Sequence, residues 1–232
     1  MPGSVEYFIW FLGTFLEALV VLSALRRKVF KRYFFLNLYM LLDCLASFAR
    51  FRVIEHSGLS SSTYRYFYFY SDALLTLVLF FGLISLYMLV FQELKIDRHL
   101  RLGAVVLLAG TAWFSYQVVS QSSARMLTSF AFELSQNLYF VGLILTYILW
   151  AAVVKLRELR AHVIQLVLSL GLYFSAFAAS YAISNLRPGL YPHMCYLVPI
   201  MGCLLPLSWA YTFWRVPQDT CLSPARLAAV SR

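Results

Sequence analysis

Apolar residues run in seven long blocks, each interrupted only by isolated polar positions, at about residues 7–25, 33–54, 66–91, 102–120, 127–154, 162–184 and 194–214. A helix rises about 1.5 Å per residue, so about 17–25 residues cross the hydrocarbon core of a bilayer. Every block meets that length. The third and fifth exceed it, which predicts tilt or protrusion. The pattern therefore predicts an all-α, polytopic membrane bundle of seven transmembrane helices over residues 1–214, followed by a tail, 215–232, too short to fold as an output domain. Only Glu6 precedes the first block, and the basic run "RRKVFKR" follows it, the layout of a retained helix rather than a cleaved leader.

Composition strengthens this picture. Of 232 residues, 62% are hydrophobic and 12% charged, and the mean hydropathy is +0.74. Soluble domains have about 45–50% apolar and about 25% charged residues. The net charge of +9 does not point to nucleic acid, because the basic residues fall in short clusters between the apolar blocks rather than along one stripe. The first, third and fifth connections and the tail carry Arg26, Arg27, Lys28, Lys31 and Arg32; Lys95, Arg98 and Arg101; Lys155, Arg157 and Arg160; and Arg215, Arg226 and Arg232. The opposite face and span ends carry only Arg50, Arg52, Arg65, Arg125 and Arg187. The positive-inside rule then predicts the N-terminus outside and the C-terminus in the cytoplasm, which requires an odd number of spans.

Ionisable residues within a span cost about 2.5–3.5 kcal/mol at its centre on insertion scales, so each needs a reason. Asp43 lies about ten residues, or about 15 Å, from the inner end of the second block, and Glu17 is at similar depth in the first. Asp72 and Glu133 lie one to two turns below the outer ends of the third and fifth. Met40, Asp43, Ser47, Arg50 and Ile54 share one helical face, as do Glu133, Gln136, Asn137 and Phe140. Such faces are expected to look into the bundle. Asp43 and Arg50 are about 10 Å of helix rise apart, so the expected partner of Arg50 is Asp72 or Glu133, and that of Asp43 is Glu17 or Asn37. These residues read in two ways. One is a polar cavity open to the outside, with Arg50, Asp72, Glu133 and Asn137 as an outer cluster and Glu17, Asp43 and Asn37 as a deep ligand or proton site. The other is a set of interhelical clasps with no ligand.

The tyrosine-dense "TYRYFYFYSD" at 63–72 fits an interfacial aromatic belt or a stacking surface for a cationic ligand. Pro199 and Pro206, with Gly202 between them, are expected to kink the seventh helix. Asn-Leu-Tyr recurs in the second and fifth blocks, too short a match to establish an inverted repeat. Cys44, Cys195, Cys203 and Cys221 show no metal-binding or disulfide spacing. All four lysines, Lys28, Lys31, Lys95 and Lys155, lie at span ends, which excludes a retinal Schiff base, and His56, His99, His162 and His193 lack the spacing of a haem or zinc site. No cofactor or metal is expected, and no hydrolase or phosphate-loop motif occurs.

"TYRYFYFYSDALLTLVLFFGLISLYMLVFQEL", with "YFFLNLYMLLD" before it, resembles a group of uncharacterised seven-span membrane proteins of bacteria. The resemblance covers the second and third blocks and implies a bacterial inner membrane, without a motif tied to an activity. The span count and orientation also look like the seven-helix sensor modules that precede signalling domains, although no such domain follows here. The expected function classes are a sensor or receptor-like module that takes a small ligand from outside and signals through a cytoplasmic or membrane protein partner, a small proton-coupled secondary transporter, and a structural subunit of a larger membrane complex.

Overall fold

In the computed structural model, residues 4–58, 61–91, 97–120, 126–155, 161–186 and 197–216 are described. Lys95, Arg125, Arg157, Arg160, Arg187, His193, Cys195 and the tail from residue 217, with Cys221, Arg226 and Arg232, lie outside these residues. The described residues form seven helices and no strand: α1 Ser4–Arg26, α2 Phe34–Ser57, α3 Ser62–Val90, α4 Asp97–Ser120, α5 Met126–Lys155, α6 Ala161–Leu186 and α7 Leu197–Arg215. One helix answers each apolar block. Helices α1 to α6 are long and apolar enough to cross a membrane, the build of a multi-pass integral membrane protein. Phe8, Phe15, Trp113 and Leu172 stand more than half exposed on the outside of the bundle, a surface suited to acyl chains and not to water.

Helix ends differ from the apolar blocks where polar residues extend a helix past its membrane-crossing portion. Helix α3 begins at Ser62 because the Ser61 hydroxyl caps it, accepting a hydrogen bond from the Tyr64 N–H at 3.1 Å. Helix α4 begins at Asp97, ahead of its apolar run, through Arg98, His99 and Arg101. Gly58 closes α2 with a φ of 77°, donating its N–H to the Ile54 carbonyl at 2.8 Å. A side chain rarely adopts that backbone conformation.

Packing follows a ring. Helix α1 packs on α2, α2 on α3, α3 on α5, α5 on α6, α6 on α7, and α7 back on α1. Helix α4 lies outside this ring, against α5 and the edge of α3. Direction alternates along the chain, so the N-terminal ends of α1, α3, α5 and α7 meet the C-terminal ends of α2 and α6 on one side, the side that carries Ser57 and Ser62, and the ring neighbours α3 with α5 and α7 with α1 run parallel. The other half is filled. Leu36, Met40, Leu79, Leu83, Leu170 and Trp209 are fully buried there, and the Trp209 indole N–H donates to Ser169 at 2.7 Å. His162 stacks on Tyr33, with ring centroids 5.2 Å apart, and Arg27 donates to the Trp214 carbonyl at 2.6 Å.

Candidate functional site

Within the half of the ring that is not filled lies a cavity of about 350 Å³. All six ring helices line it and α4 does not. Glu17, with Ile9, Trp10 and Gly13, comes from α1; Tyr39, Asp43, Ser47 and Arg50 from α2; Tyr68, Asp72 and Leu75 from α3; Tyr139 from α5; Tyr173 and Phe177 from α6; and Pro199, Gly202 and Cys203 from α7. The three-to-four-residue spacing on α2 is what turns Asp43, Ser47 and Arg50 to one side together. Gly13 faces α7 at ordinary contact distance: a Cβ there would stand 3.4 Å from the Cys203 sulfur and 4.0 Å from Glu17 Oε1.

Glu17, Asp43, Arg50 and Asp72, dispersed in sequence, are therefore collected at one place. Glu17 is 7% exposed, and its Oε2 is buried without a hydrogen-bond partner. Arg50 lies close enough for its charge to act on all three carboxylates, yet it is paired to none of them. Its Nε and Nη2 donate to the Ser71 hydroxyl at 3.0 and 2.8 Å, and its guanidinium lies over the Tyr68 ring, 4.7 Å from the centroid. This corrects the expectation of an Arg50 pair with Asp72 or Glu133. Among the described residues the ion pair is Arg52 with Glu55, 3.4 Å apart on the surface. A hydroxyl and an aromatic face thus hold the guanidinium, and its positive charge remains available to the cavity.

The remaining expected residues lie elsewhere. Glu133 lines a second hollow, of about 660 Å³, between the ends of α3, α4 and α5, with Arg65, Tyr66, Phe69 and Phe132. Asn137 donates to the Ser115 hydroxyl at 3.0 Å and clasps α5 to α4. The polar face of α5 therefore looks toward α4 and not into the ring, because the ring-facing side of α5 is occupied by Tyr139. Asn37 is fully buried and donates to the Tyr33 carbonyl at 2.9 Å; it does not line the cavity, so Asp43 shares its site with Glu17 and not with Asn37. Pro199 sits in the first turn of α7, where a missing N–H breaks no helical bond. It is not a kink. Pro206 is inside the helix, which runs without interruption from Leu197 to Arg215, and leaves the Gly202 carbonyl without its usual N–H donor.

Sequence reading missed the aromatic wall. Tyr139 stacks on Phe177 at 4.8 Å, and Tyr173 lies 4.4 Å from Phe177. The Tyr39 and Tyr173 hydroxyls share a hydrogen bond of 3.0 Å. Its signal was the four-residue spacing of Tyr173, Phe177 and Tyr181, one stripe of α6, hidden among 16 tyrosines and 20 phenylalanines. No protein-family model, curated protein or solved structure matches this chain.

Proposed function

We propose that this protein is a receptor-like seven-helix membrane module that takes a small ligand from the outer side into the ring cavity and passes a change to a protein partner through its basic inner connections. One observation carries the reading: Glu17, Asp43, Arg50 and Asp72, from three helices, line the same cavity. A chain that needed these charges only as clasps would pair them, and Arg50 bonds to Ser71 instead. In this reading α7, 19 residues long and about 28 Å in rise, is the seventh span. Residues 1–214 form the membrane domain and 215–232 a cytoplasmic tail, with the N-terminus outside and the bacterial inner membrane as the location. The cavity then opens outward, and the packed layer around Trp209 faces the cytoplasm.

Proton-coupled transport is a second reading, favoured by Glu17, whose Oε2 has no hydrogen-bond partner, lining the same cavity as Asp43. It requires the Trp209 layer to open, and it predicts that Glu17→Gln abolishes flux in a folded protein. Native mass spectrometry of protein extracted gently from its own membranes tests the shared premise. One small molecule bound per chain is the expected result; a chain free of any such molecule overturns it.

A further inference from the structure

We infer that the cavity selects an organic cation, an ammonium group carried on a small apolar or aromatic body. This rests on the ligand-binding reading above and specifies the chemistry that the same site recognises. The carboxyl groups are the first argument. Glu17, Asp43 and Asp72, from three helices, line one space with a single guanidinium, so an ammonium group there meets carboxyl oxygens from several sides. Glu17 is the most informative of them: it is 7% exposed, it lines the cavity, and its Oε2 has no partner. Buried polar atoms are rarely left so, and a ligand N–H, or the positive rim of a methylated ammonium, supplies the missing contact.

The wall is the second argument. Tyr39, Tyr68, Tyr139, Tyr173 and Phe177 border the cavity, and aromatic faces attract cations. The shared hydrogen bond of Tyr39 and Tyr173 and the stack of Tyr139 on Phe177 hold these rings in place before any ligand arrives. Tyr68 already carries the Arg50 guanidinium, an example within the cavity of the contact proposed for the ligand. The size, about 350 Å³, falls in the range of about 300–1,000 Å³ typical of small-molecule sites. Among the described residues no three acidic, histidine or cysteine side chains converge as metal ligands do.

The test is calorimetric titration of the full chain in lipid nanodiscs with choline and with benzyltrimethylammonium, each beside its neutral isostere, in which carbon replaces the quaternary nitrogen. Binding of the cations with at least about tenfold preference over the isosteres is expected, and Asp43→Asn and Tyr173→Leu each weaken it by about tenfold. Isosteres that bind as well as the cations overturn the inference while leaving a ligand cavity in place. Binding of neither also overturns it. Native mass spectrometry then decides separately whether the cavity takes any ligand at all. The isostere comparison is made on the wild-type chain, so the inference does not depend on either variant folding.

Discussion

Gly142 shows how tightly the ring is closed at the level of single side chains. A Cβ at this position on α5 would overlap the Phe174 ring of α6, and Phe174 is itself packed against Tyr139 and Tyr173. No far end of a flexible chain is available to give way. Gly142→Ala is therefore expected to lower stability by about 1–3 kcal/mol, read as a lower midpoint in detergent unfolding. Gly110→Ala on α4, where nothing lies within 4 Å of the new methyl, is expected to be neutral or stabilising by up to about 1 kcal/mol. Equal effects at both positions would mean that α5 and α6 are not in close contact at Gly142. At this scale the charged half of the cavity was legible in the sequence and the aromatic half was not. Glu17, Asp43, Arg50 and Asp72 stand out because charge in an apolar run is costly wherever the helix faces. Tyr139 and Tyr173 do not, because an aromatic residue is equally at home against lipid, in a core or in a site, and only contacts across helices tell these apart.

Helices as units were legible for a different reason. An apolar run of about 20 residues has to be a helix in a bilayer, where every backbone group must find its partner within the segment. Which helix sits beside which was not legible, because lipid-facing and helix-facing positions are both apolar. Helix α4 is the clearest case. Leu102, Val105, Val106 and Trp113 are all more than 60% exposed, and its polar residues Thr111 and Ser115 turn to α5, yet both sets lie in a single apolar run. Its position outside the ring makes a specific prediction. Asn137→Leu removes the hydrogen bond to Ser115, while the Ser115 hydroxyl keeps its own bond to the Thr111 carbonyl at 2.8 Å. Interhelical bonds of this kind average about 0.6 kcal/mol and reach about 1.7 kcal/mol in membranes. The variant is expected to lose stability within that range and to leave ligand occupancy of the cavity, read by native mass spectrometry, unchanged. A large loss of ligand would place α4 in the working part of the molecule.

For the molecule as a whole, orientation and cavity access are one question, and Cys203 can answer it. The thiol is on α7, partly buried, lines the cavity beside Gly13 and Glu17, and is not in a disulfide. Cys44 lies apart, in the hollow between α1 and α2 that faces outward past Phe11, Phe48 and Phe51. With Cys44, Cys195 and Cys221 changed to serine, the remaining thiol reports on the cavity alone. If the positive connections face the cytoplasm, the unfilled half of the ring opens outward and the layer around Leu83 and Trp209 blocks the inner route. A small thiosulfonate carrying a trimethylammonium group, added to the outside of intact cells, is then expected to modify Cys203, while the same reagent reaching only the cytoplasmic face is not. Cation selection sets a second expectation: the cationic reagent reacts faster than a sulfonate of similar size, by about tenfold where the preference is worth about 1.4 kcal/mol. Salt narrows that ratio only slightly, because charges inside the ring are shielded from bulk ions. Modification from the cytoplasmic face alone would invert the bundle, and equal rates for the two reagents would remove the electrostatic basis for cation selection.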